Sequence, residues 1–548
     1  MDHATPIPAV PSTRTTPPRT YTLLEIVFAW LCLLEGYLFC RVFPVLSSPF
    51  GGFLLILLLY LGTTMVFVIK KIKLRPLPTA AAALALVLSL SLVLCANGLI
   101  AWLAYVFALI TYGYYIYAAL GNTVTPHFSG LILADYWNAL CVYPFHSLTS
   151  MGQALFSGRT AKKSGKFLLK ILLGVLIAVI PTAVVCSLLS YDRTFTALLN
   201  DILDLDFSDI FSHLFSLLVG IVIGMYIFGL YVSAADQRAE GALTPTALSN
   251  TAKGLRSVSA VTVLVASLPL LFLYVVFFIS QWQYYISGFT GKLPAELSYA
   301  QYAREGFFQL CWVAVINLAL LLGISLFFKR KSETPPLLLK ILSLIYALFT
   351  LVLISTAISK MALYIKTYGL TQKRVYASCI MLLLAVIFLT VIVKQFAPKT
   401  PVVAISLLAA LGMLVSLSYG NLDTQIARYN IDRYLDGTLD DVDLFAMQEL
   451  GEAAIPELCR MAQILDARQG SDICHDPDAE SKLSEIYYDY DANCTTTYYR
   501  LRYTLATAAA ESTERAAEDD RSVIEKIFAF HLPTYRAERS LQEIGLIE

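Results

Sequence analysis

The chain has 548 residues, 57% of them hydrophobic and only 15% charged, with forty Lys and Arg set against forty Asp and Glu. Soluble domains run nearer to about 45–50% apolar and about 25% charged, so this composition excludes an ordinary soluble globular protein and points to lipid as solvent. From Asn421 onward there are twenty-six acidic and twelve basic residues, leaving fourteen and twenty-eight before it, so a basic membrane portion carries an acidic tail.

Residues 1–20, with Pro6, Pro8, Pro11, Pro17 and Pro18, have too little apolar content to bury a core and read as a disordered Pro/Thr-rich arm. The next apolar stretch lacks a small-residue cleavage site and reads as a retained span rather than a signal peptide. A bilayer core of about 30 Å needs roughly 20 apolar residues per helix. Such runs recur from 21 to 419, at about 22–46, 50–70, 79–96, 99–120, 167–190, 211–235, 258–280, 306–328, 337–361, 375–397 and 402–419. Runs such as 53–60 and 84–94 are apolar on every face, which rules out the alternation of a β-barrel. Between the fourth and fifth spans, Asp135, Tyr136, Trp137 and Asn138 interrupt an apolar segment and predict an in-plane or re-entrant helix. Beyond 420 the apolar residues recur three and four apart over 439–450 and 454–465, broken by Gly451 and Pro456, as in a single HEAT-type helix pair; a further helix is expected over 495–518. The reading is all-α: a polytopic transmembrane helical bundle of about eleven spans, 21–419, with a small acidic helical domain, 420–548.

The motifs that carry common chemistries are missing. There is no H-E-x-x-H, G-x-S-x-G or Walker A sequence, and the 158–167 segment, rich in Lys and Arg, has the wrong spacing for a phosphate loop and ends in Phe167. The histidines (His3, His127, His146, His213, His475, His531) show no paired ligand spacing, and the ten cysteines form no C-x-x-C. No catalytic, cofactor or metal site is expected, and with no basic stripe interleaved with aromatics, no nucleic-acid partner either; the partners expected are membrane lipid and a protein bound through the C-terminal domain. Charges within spans are costly and become functional candidates. Glu25 and Glu35 in the first span are about 15 Å apart along a helix, too far for an acid/base pair. Glu35 either bonds a neighbouring helix or lines a proton or cation path. Lys360 follows Ser355, Thr356 and Ser359; its ammonium either snorkels to the headgroups or meets a buried anion, with Arg304-Glu305 at the mouth of the eighth span as a possible counter-charge. Gly220 and Gly224 form a G-x-x-x-G suited to close helix packing.

Three stretches together resemble a bacterial membrane family catalogued as a domain of unknown function, number four-one-seven-three. The first holds Tyr299, Tyr302, Arg304, Glu305 and Gly306 before a span with Asn317; the second runs from Ser359-Lys360-Met361 through Tyr364, Tyr368, Gly369 and Thr371 to Arg374; the third holds Arg428, Tyr429, Asn430, Arg433 and Tyr434, continuing through Asp440 to Pro456, with 530–537 as a further piece. The chain departs from that pattern at Lys360, where Arg is usual. The resemblance supplies no activity. By residue chemistry, Tyr299 and Tyr302 suit an interfacial belt, Gly369 a turn, and Thr371 the N-cap of the tenth span. Glu35, Tyr302, Arg304, Glu305, Lys360, Tyr368, Gly369 and Arg374 are therefore the candidate functional residues.

The function expected is that of an envelope interaction or sensory scaffold in the cell membrane, with a secondary transporter or lipid/solute carrier as the alternative. Lys and Arg concentrate in alternate loops, at 70–75, 159–166, 253–256 and 329–331, which predicts a cytoplasmic N-terminus and an extracytoplasmic tail. In that compartment Cys474 and Cys494 become disulfide candidates.

Overall fold

The computed structural model describes residues 19–42, 47–125, 128–156, 174, 207–237, 239–280, 307–329, 337–469, 494–517 and 523–547. Among them every regular element is helical apart from one β-bridge between Val258 and Phe328. Among the described residues ten helices are long and apolar enough to cross a membrane, matching ten of the expected spans; the one expected at 167–190 lies, apart from Gly174, outside them. The same is true of the basic loop 158–167, of Tyr299, Tyr302, Arg304 and Glu305, of Cys474, and of most of the N-terminal arm.

In chain order, α1 (Leu23–Val42), α2 (Pro49–Ile69), α3 (Pro76–Leu94) and α4 (Gly98–Ala119) are followed by short pieces: α5 (Ile132–Trp137), a π-helical turn (Asn138–Val142), α6 (Tyr143–His146) and α7 (Ser150–Leu155). Then come α8 (Phe207–Asp236), α9 (Pro245–Leu255), α10 (Ala260–Ser280), α11 (Phe307–Phe327), α12 (Leu337–Tyr368), α13 (Gln372–Phe396) and α14 (Val402–Tyr419). The tail holds α15 (Leu422–Leu435), α16 (Leu444–Gln448), α17 (Ile455–Gln469), α18 (Cys494–Ala517), α19 (Val523–Phe528) and α20 (Leu532–Glu543). Two compact units result, one of Met1–Arg41, Leu61–Lys73 and Cys141–Glu240, the other of Val42–Tyr60, Leu74–Leu140 and Gly241–Glu548.

In the first unit, α1 buries Glu25, Phe28, Ala29, Cys32, Glu35 and Gly36, a set spaced three and four apart that forms one helix face. That face meets α8 running antiparallel, with Phe28 edge-on to Tyr231 at 5.0 Å near one end and Tyr37 Oη 2.6 Å from His213 Nδ1 near the other. Between them the G-x-x-x-G of α8 touches α1 backbone to backbone: a Cβ on Gly220 would fall 2.6 Å from Tyr37 N, and one on Gly224 2.9 Å from Cys32 O. Small residues give lipid-immersed helices their packing energy, because apolar side chains gain little by leaving lipid for protein.

The interrupted segment after α4 belongs mainly to the second unit and is held by buried polar side chains. Asp135 accepts from Val124 N at 2.7 Å, while Asn138 bonds Leu243 N–H at 2.7 Å and donates to Tyr117 Oη at 3.2 Å. Of the four residues that interrupt the segment, Asp135 and Asn138 are thus 3% and 1% exposed and serve backbone and side-chain partners, whereas Trp137 is 55% exposed. Within the α10–α13 layer, Tyr274 donates to Asn317 at 2.6 Å and Asn317 to Thr350 at 2.8 Å, a chain bridging three helices and closed on the Tyr346 carbonyl. The tail has a core of its own, with Ile426, Ile431, Leu458, Met461, Leu501 and Leu505 from α15, α17 and α18, and Leu370 and Val375 from the spans pack against it.

The Gly220 contact gives a direct stability test. Gly220→Ala should lower the thermal midpoint of the detergent-solubilised protein, and Gly220→Leu, which overpacks by about 1–3 kcal/mol or more, should cut the yield of monodisperse protein. Gly323→Ala, whose Cβ meets nothing within 4 Å, should change neither.

Candidate functional site: the clamp and cleft at the tail

Helix ends leave backbone groups without intrahelical partners, and at the α12–α13 turn these are met by side chains. Gly369 takes a left-handed φ of +76°, and its absent side chain leaves the space filled by the Asn430 amide. Asn430, 4% exposed on α15, accepts from Leu370 N at 2.7 Å and donates to Leu370 O at 2.8 Å. Thr371 caps α13 by accepting from Arg374 N, as its position in the sequence predicts. Arg374 donates to the carbonyls of Tyr368 and Gly369 and lies over the Tyr364 ring at 4.1 Å, while Arg433 of α15 donates to Ile365 O at 3.3 Å. Two cations thereby meet the negative end of α12.

About two helical turns before Asn430, α15 carries Asp423, 3% exposed. Its carboxylate accepts from Asn97 Nδ2 at 3.1 Å and from Gln372 Nε2 at 2.9 Å. Asn97 is itself the N-cap of α4, accepting from Ile100 N at 3.1 Å, and Gln372 is the first residue of α13. One tail carboxylate therefore ties two span ends. Burial raises its proton affinity above the usual carboxylate range, against the opposing effect of the Gln372 and Asn97 donors.

Beside it, His531 Nε2 donates to the Cys95 carbonyl at 3.0 Å, just past the end of α3. Its Nδ1 lies 3.0 Å from Thr534 Oγ1 and 3.8 Å from Glu452 Oε2. Glu452 also accepts from Thr534 and, at 2.5 Å, from Arg515. Burial would raise its carboxyl, but His531, Thr534 and Arg515 outweigh this and hold it at about 2. Asn97, Gln372, Tyr376, Asp423, Glu452 and His531 line a cleft of about 440 Å³. Its walls carry carboxylates and amides, which suit a polar or cationic guest; among the described residues no group of three His, Cys, Asp or Glu stands ready to hold a metal ion.

The match to known families can be set against this geometry. A family described as Domain of unknown function (DUF4153) matches residues 82–461, more than two thirds of the chain. The chain belongs to that family. The number expected from the sequence resemblance is corrected to 4153; helix-mouth tyrosines, a turn glycine and an N-cap threonine answer needs shared by all membrane helices and discriminate poorly between families. DUF4153 spans Asn97, Gly369, Arg374, Asp423, Asn430 and Glu452, whereas Glu35 and His531 lie outside its match. No curated protein and no solved structure matches the chain.

Of the candidate residues, Tyr368, Gly369 and Arg374 come together in the clamp. Tyr302, Arg304 and Glu305 lie outside the described residues. Lys360 is 8% exposed on α12, which runs on past it to Tyr368. Glu35 belongs to the first unit and the clamp residues to the second. Asn97, Asp423, Glu452 and His531 escaped the sequence reading because Asn97 and Asp423 are 326 positions apart and His531 lies 436 positions from Cys95. The available signal was Asn97 itself, a lone cap residue directly before an apolar run.

Because Glu452 is held below its ordinary value, its contacts stabilise the tail fully above about pH 4.5, and that stabilisation is lost as pH falls toward about 2. Thermal unfolding between pH 5 and pH 2 should therefore cost the wild type on the order of 2 kcal/mol more than Glu452→Gln, whose neutral amide does not titrate. Parallel curves for the two proteins would show that Glu452 carries no such linkage.

Proposed function

We propose that the protein is a sensory or interaction scaffold of the bacterial cell envelope, whose C-terminal domain faces outward and passes its state to the membrane helices through the Asp423 clamp. The observation that carries this reading is the buried Asp423 carboxylate shared between the α4 cap and the first residue of α13, on the wall of a polar cleft. A guest that competes for Asp423, Asn97 or Gln372 acts on two span ends at once. The carboxylates of Asp423, Glu449 and Glu452 favour a cationic group, carried on a solute or on a protein partner.

The orientation draws support from charge. The tail meets the 95–97 turn and the 369–372 turn, whereas Arg75 stands at the opposite end of α3, about 28 Å away along a helix of 19 residues. Lys253 and Arg256 precede α10, Lys329 follows α11 and Lys399 follows α13, so these loops alternate with the turns at the tail. An excess of Lys and Arg marks the cytoplasmic side. Against a carrier, Tyr274, Asn317 and Thr350 within the α10–α13 layer are spent on one another in a chain.

Two measurements test the reading. A membrane-impermeant maleimide applied to intact cells should label Phe445→Cys, at a position 73% exposed on α16, and should reach Lys73→Cys only after lysis; the reverse order overturns the orientation. Asp423→Ala should raise amide hydrogen exchange by tenfold or more at 97–101 and 370–375 together, while α10 and α11 stay unchanged. If exchange rises in α15 alone, the clamp does not couple tail to spans.

A further inference from the structure

Glu35 lies in the second half of α1, within a helix apolar enough to cross a membrane, and is 1% exposed. Neither of its carboxyl oxygens has a hydrogen-bond partner among the described residues. The contrast with Glu25 on the same helix face is direct. Glu25 is met by Arg19 at 2.9 Å, by Lys70 at 2.7 Å and by the backbone N–H of Thr22 at 2.9 Å, with Arg19 paired in turn to Asp236. At Glu25 the chain supplies every charge an ionised carboxylate requires; at Glu35 it supplies none among the described residues.

The surroundings of Glu35 are built from what is missing. Its Oε1 lies beside Gly62 of α2, where a Cβ would stand 2.7 Å from Leu31 Cδ2 and 3.3 Å from Oε1, so Leu31 and the carboxyl together occupy the space a side chain would fill. The neighbouring Gly36 presses on the Gly220 backbone of α8. The polar groups nearest to it along α1 and α2 are the Cys32 thiol, one turn earlier on α1, and Thr63 beside Gly62 on α2, both uncharged at ordinary pH. No Lys, Arg, His, Asp or second Glu among the described residues forms an ion pair with it.

Burying an unpaired carboxylate in low dielectric carries an idealised cost on the order of 20 kcal/mol, and several kcal/mol after relaxation. A neutral carboxylic acid left without partners costs only a few kcal/mol, so the group takes up a proton instead. We propose that Glu35 is an intramembrane proton-binding site: it stays a neutral carboxylic acid while α1, α2 and α8 are packed, and releases its proton only when those helices part enough to admit water. The ligand is the proton itself. This site is independent of the clamp at the tail and stands or falls separately.

The test uses the full-length protein in native membranes. An apolar carbodiimide reacts with a protonated carboxyl: the acid proton passes to a carbodiimide nitrogen, the carboxylate oxygen bonds the central carbon, and the adduct rearranges to a stable N-acylurea that mass spectrometry can map. At neutral pH the adduct should appear on Glu35, be absent from Glu25, fail to form with a water-soluble carbodiimide, and vanish in Glu35→Gln. Glu35→Gln keeps a neutral group of the same size, so it should retain wild-type abundance and midpoint. Infrared spectra should carry a protonated-carboxyl carbonyl band that shifts in deuterated water and is lost in Glu35→Gln; this band decides the matter if the reagent cannot enter. Absence of the band in a folded protein overturns the proposal and means that a residue outside the described ones pairs with an ionised Glu35. Protection of Glu35 by sodium at constant pH overturns it in favour of a cation site.

Discussion

The C-terminal helices meet the long apolar ones through one amphipathic helix, Leu422–Leu435, whose side chains reach backbone groups that helix ends leave open. Asn430 bonds both backbone groups of Leu370, Arg433 reaches Ile365 O, and Asp423 takes donors from Asn97 and Gln372. Each contact satisfies a group with little access to water, so losing one costs the desolvation of its partner as well as the bond. The tail core forms behind this helix, and the cleft exists because the helix holds tail and span ends at a fixed separation.

The first unit solves a different problem by different means. Its helices gain little from apolar burial, and α1 and α8 are held by contact between backbones that Gly36, Gly220 and Gly224 make possible. Charge is then sorted along α1: compensated at Glu25, where Arg19, Lys70 and Asp236 gather at the helix mouth, and uncompensated among the described residues at Glu35, deep in the span. The same residue type on the same helix face thus has two physical states available, set by depth and by neighbours.

Much of the architecture was legible without coordinates, for reasons that are local. A run of about 20 apolar residues has few folded options in lipid, so ten described spans fall where hydropathy puts them. Gly369 and Thr371 announce their turn and cap by residue type, and the spacing of Gly220 and Gly224 announces a close helix contact. The candidate residues were less legible. A single span leaves Lys360 open to snorkelling or to a buried anion, and only the neighbouring helices set its 8% exposure.

The sequence by itself determined that the chain is an all-helical membrane protein with an acidic C-terminal stretch, because hydropathy, glycine spacing and capping act over a few residues. Only the tertiary structure decided which polar residues meet. Asp423 finds Asn97 across 326 positions, and His531 finds Cys95 across 436, because the packed helices bring their ends to one level. No periodicity encodes such a meeting, since each partner is an ordinary polar residue at a helix end until the other one supplies its hydrogen bond.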